Sequence, residues 1–308
     1  MKVIVFGGSG FLGSHVADVL SEKGHEVTIY DIRKSDYLRQ DQKMVVGDLL
    51  DRDAIDAHIK EHEIVYHFAG IADIHDAQVR PVETVEFNVL GTVYILEACK
   101  KYNVKRFIYA STIYVYSEHG SFYRSSKQSC ELFIENYNKI YGVDYSILRF
   151  GSLYGERAND FNFIQNIIRQ AFLEGRIQRK GNGNEIRDYI HVHDAANLSV
   201  DILSDDYINS YIMITGEQTM KVKDVLHMIQ EIFNYNIDIE YLDEKIEEHY
   251  EITPYSFRPK VAKKIVPDYY HDLGQGILDC IYQVYDELKK ENKVNHLELI
   301  NKKPEDHE

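Results

Sequence analysis

Residues 3-VIVFGGSGFLGSHVADVL-20 begin with four apolar residues, Val3 to Phe6, and change character at Gly7-Gly8-Ser9-Gly10. Beyond the glycines, Phe11, Leu12, Val16, Val19 and Leu20 recur at helical spacing on one face. The stretch reads as a strand, a glycine turn and the start of a helix. Glycine permits positive φ and a close backbone approach. A helix N-terminus offers free N–H groups and the positive end of the helix dipole, which together suit a pyrophosphate. Gly7, Gly10 and Gly13 fit G-x-x-G-x-x-G, and Gly8, Gly10 and Gly13 fit G-x-G-x-x-G. Alone the pattern is weak, since glycine turns are common.

Context strengthens it. A second apolar run, Val27-Thr28-Ile29-Tyr30, ends at Asp31, 18 residues after Gly13. That interval is close to the roughly 20 residues at which a carboxylate takes the ribose hydroxyls of NAD. An acidic residue there repels the extra phosphate of NADP. The plain alternative is a strand-end aspartate; with the glycines and the strand in place the dinucleotide reading is preferred, and NAD over NADP, with Arg33 and Lys34 just beyond as the opposing signal.

A chain of 308 residues can bury one large core, or one domain and a smaller lobe. Apolar content of 44% and charged content of 28% are those of a water-soluble globular protein. No apolar run approaches the ~20 residues of a membrane span. The first strand begins at once, which leaves no room for a signal peptide. Cys99, Cys130 and Cys280 make no metal-ligand or C-x-x-C pattern, and three is an odd number. Packed thiols in a cytoplasmic protein are expected. A net charge of −15 repels nucleic acid and anionic membranes, so an anionic substrate needs a local basic pocket.

The alternation continues. Met44-Val45-Val46 leads to Gly47-Asp48-Leu49-Leu50, and Ile64-Val65-Tyr66-His67-Phe68 leads to Ala69-Gly70-Ile71. Arg106-Phe107-Ile108-Tyr109 leads to Ala110-Ser111-Thr112, and Asp144 to Leu148 leads to Arg149-Phe150-Gly151. Continuous runs of this length suit strands buried on both faces, and 81–103 and 125–141 carry helical periodicity. The fold class expected is α/β, a doubly wound parallel (Rossmann) sheet with right-handed crossovers and ligands at the strands' carboxyl ends. Residues 1–155, with parts of 185–215, read as the NAD-binding domain. Residues 156–290 read mostly as a smaller C-terminal substrate lobe, with helices near 160–174, 193–204, 221–233 and 275–290 and short strands near 188–192, 211–214 and 237–241. Residues 291–308 read as a charged, frayed tail.

Tyr123-Arg124-Ser125-Ser126-Lys127 sets a phenol and an ammonium four apart, neighbours on one helix face. A nearby cation lowers a phenol's pKa from ~10 toward the working range. Such a tyrosine can take a proton from an alcohol while hydride leaves for nicotinamide. The bland reading is a surface pair, in a chain with 24 tyrosines. Position argues for more: the pair opens a helix just after a strand that ends in Ser111-Thr112.

With these residues in view, the chain resembles the extended short-chain dehydrogenase/reductase family, the NAD-dependent nucleotide-sugar epimerases and dehydratases. The resemblance rests on GGSGFLG at 7–13, GDLLD at 47–51, HFAG at 67–70, NVLGT at 88–92, ASTIYVYS at 110–117, YRSSK at 123–127, LRFGSLYG at 148–155 and RDYIHVHDAA at 187–196. It covers residues 1 to about 200 in the family's order. It implies bound NAD, a nucleotide-diphosphate sugar as substrate, a homodimer through helices 88–103 and 124–141, and a place in polysaccharide biosynthesis. By motif, Tyr123 would be the catalytic acid and base, Lys127 would hold the nicotinamide ribose, and Thr112 would bond the sugar hydroxyl. Gly7, Gly10, Phe11, Leu12 and Asp31 would hold the dinucleotide. Asp48 and Leu49 would frame the adenine, and Phe68, Ala69 and Gly70 would line the cleft. Asn88 would hold the ends of the fourth and fifth strands. Arg187 would meet the substrate diphosphate through a bidentate fork, with a salt bridge to Asp188 or Glu185 as the alternative. Ser152 and Arg258, with Lys260, would add substrate contacts. His191 and His193, two apart, would share one face of a strand; a metal site is conceivable, but no third ligand stands out in the sequence, and structural histidines are expected.

Departures bear on the reaction. Family dehydratases carry Asp-Glu directly after the active-site Thr, and uronic-acid decarboxylases a Glu two after it. Here Thr112 is followed by Ile113-Tyr114. The expectation is therefore an epimerase acting at C4 through a 4-keto sugar. A ketoreductase or dehydrogenase, a 4,6-dehydratase, or a non-catalytic dinucleotide sensor are the alternatives.

Overall fold

Most of the apolar runs become strands buried from both sides; the run ending at Val46 is the exception, forming an edge strand that is only partly covered, with Val46 62% exposed. In the computed structural model, which describes residues 1–217, 219–244, 249–254 and 262–293, the first six strands are β1 Lys2–Phe6, β2 Glu26–Asp31, β3 Gln42–Val46, β4 Ile64–His67, β5 Arg106–Thr112 and β6 Tyr145–Phe150. They are followed by β7 Ser152–Tyr154, β8 Arg176–Lys180, β9 Ile186–His191, β10 Ser210–Ile214, β11 Thr219–Lys221, β12 Asp238–Leu242 and β13 Lys263–Lys264. The helices are α1 Phe11–Glu22, α2 Arg52–Ile59, α3 Ile74–Val79, α4 Pro81–Thr84 and α5 Gly91–Tyr102, then α6 Ser121–Tyr141, α7 Phe163–Glu174, α8 Val192–Asp201, α9 Val222–Ile232 and α10 Leu273–Lys290. A π-helical turn, Val85–Leu90, joins α4 to α5, and a 3-10 turn, Ile113–Tyr116, follows β5.

The chain divides into two compact units. The first comprises Met1–Gly151, His193–Thr215 and Pro254–Pro267. It holds an eight-stranded sheet in the order β13-β10-β6-β5-β4-β1-β2-β3. Every adjacent pair runs parallel. The order reverses at β1, which lies between β2 and β4, and in open α/β sheets ligands bind at the carboxyl ends beside such a switch point. Phe6 at the end of β1 stands opposite Tyr30 on one side and His67 on the other. Phe6, Val65, Phe107 and Ile147 are fully buried in the core on this sheet, each worth roughly 1.5–3 kcal/mol of transfer free energy.

The second unit comprises Ser152–Val192, Gly216–Thr253 and Asp268–Glu308. Among its described residues, β9 pairs parallel with β7 and antiparallel with β11, and β8 pairs parallel with β12. Helices α7, α9 and α10 bury Phe172, Phe233 and Ile281 in a core of its own, the two phenyl rings meeting edge to face at 4.9 Å.

Several boundaries differ from the periodicity. Strand β5 continues to Thr112, and the helix expected over 81–103 is interrupted by the π turn. Helix α10 ends at Lys290; residues 294–308, most of the expected tail, lie outside the described residues. Cys99, Cys130 and Cys280 are free and buried, as expected. Among the described residues no helix is long and apolar enough to cross a membrane.

Candidate active site

The glycine loop is held where side chains do not fit. Gly7 has φ +79°, and a Cβ there would lie 2.5 Å from the Ala69 nitrogen. A Cβ on Gly13 would lie 2.2 Å from the Gly7 oxygen, so α1 starts directly against the turn. Gly10 N donates to Gly7 O at 3.1 Å and leads into α1, whose N-terminus has no side-chain cap and no acidic residue in its first turn. The first N–H groups of α1 thus start beside a turn without side chains, the arrangement a dinucleotide pyrophosphate requires. Leu12 is buried beneath the loop; Phe11 is half-buried, its ring edge-on to His15. At the end of β2, Asp31 Oδ2 accepts from Ser9 N at 3.0 Å and Oδ1 from Arg33 N at 3.2 Å. The carboxylate is thus tied to the glycine loop, beside the cradle, and a ribose would approach it there.

Asp48 Oδ1 accepts from Leu50 N at 2.9 Å and so caps its own turn, while its carbonyl accepts from Tyr30 OH at 3.0 Å. Leu49 packs against α5 at Gly91, where a Cβ would come within 3.3 Å of it. Past β4, Phe68 N donates to Phe6 O at 2.8 Å and its ring stacks on Tyr66. Gly70 has φ +135°, and a Cβ there would strike Asn88 Oδ1 at 2.5 Å. Asn88 lies in the π turn, a feature often found at functional sites. Its Oδ1 accepts from Ile71 N at 2.7 Å; its Nδ2 donates to Ile71 O at 2.9 Å and to Ser126 Oγ at 3.0 Å. Asn88 therefore joins the loop after β4 to helix α6, rather than to the end of β5.

Helix α6 begins at Ser121, so Tyr123 sits in its first turn and Lys127 one turn on. Lys127 is 7% exposed; its Nζ donates to Ala110 O on β5 at 2.7 Å and lies 5.8 Å from the Tyr123 ring centroid. The Thr112 hydroxyl, at the end of β5, hydrogen-bonds the Tyr123 phenol and accepts from Tyr114 N at 3.3 Å. One expectation needs correction. Lys127 was expected to lower the Tyr123 pKa, but burial dominates and pushes it up to about 12, with the Thr112 hydrogen bond pulling the other way. The same burial pulls the Lys127 ammonium down to about 8. Two groups packed in one low-dielectric place both move toward their neutral forms.

In the second unit, Arg187 is buried on β9 and its guanidinium lies 4.2 Å from the Tyr250 ring centroid. Its Nη1 donates to Ile186 O at 2.9 Å. Glu185 pairs instead with Arg179 at 3.1 Å. Ser152 hydrogen-bonds Tyr250, so Ser152 and Arg187 meet around one ring. His191 stacks on His271 with centroids 4.2 Å apart. Arg258 and Lys260 lie outside the described residues.

Ser126, Glu131 and Arg149 were not singled out by sequence reasoning. The available signal was a charged residue inside an apolar run, Ser146-Ile147-Leu148-Arg149-Phe150, which is stable only with a partner. That partner is Glu131.

Comparisons with known proteins point to one family. The model of the NAD dependent epimerase/dehydratase family matches residues 3–210. A putative UDP-glucose 4-epimerase of Methanocaldococcus jannaschii is 31% identical over 241 residues, 70% of this chain and 78% of that protein. A UDP-N-acetyl-alpha-D-glucosaminuronate decarboxylase of Bacillus cytotoxicus is 28% identical over 290 residues, 85% of this chain and 90% of that protein. The solved UDP-glucose 4-epimerase of Thermotoga maritima, with UDP-glucose, has a TM-score of 0.80 at 24% identity, over 94% of this chain and 100% of that one. At that identity the likeness shows the fold. The chain belongs to the NAD dependent epimerase/dehydratase family and is an NAD-dependent enzyme.

Proposed function

We propose that the protein epimerises a nucleotide-diphosphate sugar at C4. The observation that carries the reading is the trio on β5 and α6: the Tyr123 phenol hydrogen-bonded to Thr112, with Lys127 one turn away and tied to the same strand. A phenol and a hydroxyl suit oxidation and reduction at one carbon. Thr112 is followed by buried Ile113, then Tyr114 and buried Val115. The turn thus offers no carboxylate to drive elimination or loss of a carboxyl group.

NAD, held by the glycine cradle, Asp31, and the residues 48–49 and 68–70, supplies a hydride acceptor and donor and a positive charge that favours the phenolate. Tyr123 takes the C4 hydroxyl proton at Oη as the carbon becomes a ketone, and returns it on reduction. Thr112 holds the hydroxyl being oxidised. The Lys127 ammonium balances the phenolate. Arg187 is the guanidinium we assign to the diphosphate, with Ser152 and Arg258 as further contacts, so that a tethered 4-keto sugar can present its other face. The names of the relatives favour a UDP-sugar.

A homodimer in the cytoplasm, serving polysaccharide biosynthesis, completes the reading. What supports the dimer is an apolar surface on α6, where Leu132, Phe133 and Ile140 are 60%, 43% and 67% exposed. Tyr137 on the same helix is core, its hydroxyl donating to Glu97 at 2.7 Å.

The test is dialysed protein incubated with UDP-glucose, UDP-galactose and their N-acetylated counterparts without added cofactor. Interconversion of C4 epimers is the expected result. A strict need for fresh NAD or NADH in each turnover would instead indicate a dehydrogenase or reductase.

A further inference from the structure

Glu131 lies one turn beyond Lys127 on α6. Its side chain is 7% exposed, and that of Arg149 on β6 is 4% exposed. Arg149 Nε donates to Oε1 at 2.9 Å and Nη2 to Oε2 at 2.7 Å, a two-point fork. Ser111, next to Thr112, donates to the same carboxylate at 2.7 Å. Arg149 Nη1 donates to the Tyr116 hydroxyl at 2.8 Å, and the guanidinium lies 4.2 Å from the Tyr211 ring centroid. The pair thus gathers the strand end that carries Thr112, the 3-10 turn after it, and the helix that carries Tyr123 and Lys127.

Buried ion pairs add little net stability, and an apolar pair of similar volume often serves a fold as well. The fold alone therefore gives no reason for charges here, whereas Lys127 does. Against its ammonium lie the Tyr123 ring, the Tyr109 ring and the Ala110 carbonyl; Cys130 and Glu131 follow within one turn on its own helix, and His67 on β4 is near enough to feel its charge. Burial holds Tyr109, Tyr123, Cys130 and His67 in their neutral forms near neutral pH. Burial also works against the Lys127 ammonium; Cys130 and Glu131 oppose it, and the thiol is neutral. That leaves Glu131, one helical turn from Lys127 on α6, its carboxylate held in the fork with Arg149.

We propose that the Arg149–Glu131 pair is a positioning device for Lys127: the carboxylate sustains the ammonium, and the fork with Arg149 pins the carboxylate and α6 to the strand end that bears Thr112. That Lys127 serves catalysis rests on the function proposed above; that Glu131 sustains its charge does not.

Two readouts separate these statements. The 13Cε resonance of Lys127, assigned by its loss in Lys127→Arg, reports protonation in the purified full chain. The alkaline limb of kcat/KM reports it in turnover. Glu131→Gln keeps the shape, removes the charge, and should lower the Lys127 midpoint by about one pH unit. Arg149→Met removes the opposing cation and should raise it, and the double variant should fall between. Should Glu131→Gln not fold, the double variant replaces it, and its midpoint must lie below that of Arg149→Met. A pair that merely staples the fold would lower melting temperatures and leave the midpoints unmoved. Unmoved midpoints, or single variants that shift the same way, overturn the proposal. A shifted resonance beside an unmoved activity limb upholds it and faults the catalytic reading of Lys127.

Discussion

At the scale of single residues, equal backbone conformations have unequal consequences. Gly7 and Gly24 have φ +79° and +80°, but a Cβ on Gly24 meets nothing within 4 Å. Gly24→Ala should cost left-handed strain alone, roughly 1–2 kcal/mol by chemical denaturation, and leave NAD affinity unchanged. Gly7→Ala must push the loop off Ala69, and should weaken NAD at least about tenfold in a fluorescence titration, equivalent to about 1.4 kcal/mol. His67 makes a second case. Burial pulls its pKa from the usual 6.5 down to about 3. Between those values the unfolded chain binds the extra proton, so the stability of the neutral ring is complete above pH 6.5 and lost as pH falls. At pH 5 the loss is about 2 kcal/mol. Urea unfolding of His67→Gln should therefore show a smaller drop in stability from pH 7 to pH 5 than the parent does. The glycines and the Tyr123–Lys127 pair were legible in the sequence because their meaning lies in local spacing. The direction of the Tyr123 shift was not, because burial depends on what the rest of the chain packs around the hydroxyl.

At the scale of elements, helix α6 carries three kinds of information. Tyr123 and Lys127 face the end of β5, Glu131 reaches β6, and Leu132, Phe133 and Ile140 face outward. Periodicity located the helix and its apolar positions. It could not tell Tyr137, which is core, from Phe133 and Ile140, which are surface, because several faces of one helix are apolar. Nor could it pair Glu131 with Arg149, 18 residues apart, before the strand order was known. The π turn at Val85–Leu90 was hidden for a similar reason, since one extra residue in a helical turn barely disturbs the pattern. If the outward face joins two copies, Leu132→Glu with Ile140→Glu should convert a dimer to a monomer in light scattering after size exclusion, with the melting temperature read alongside. An unchanged mass would place any interface elsewhere.

At the scale of the whole molecule, the parallel sheet was legible because continuous apolar runs, each followed by small or polar residues, leave few topologies open. Its reversal at β1 puts the glycine loop at the switch point, and β5 with α6 bring Thr112, Tyr123 and Lys127 together. The smaller unit was less legible. Its strands are short, and the ring that receives Arg187 belongs to Tyr250, 63 positions away. The account as a whole depends on the Tyr123 hydroxyl moving the C4 proton. The most direct measurement is the rate at which UDP-sugar C4 epimers interconvert, with no cofactor added, for the parent protein and for Tyr123→Phe, which loses one oxygen atom and keeps the ring. The account predicts that the variant binds NAD as before and reacts ~10²–10⁴-fold more slowly. A variant that equilibrates the epimers at the parent's rate would contradict it.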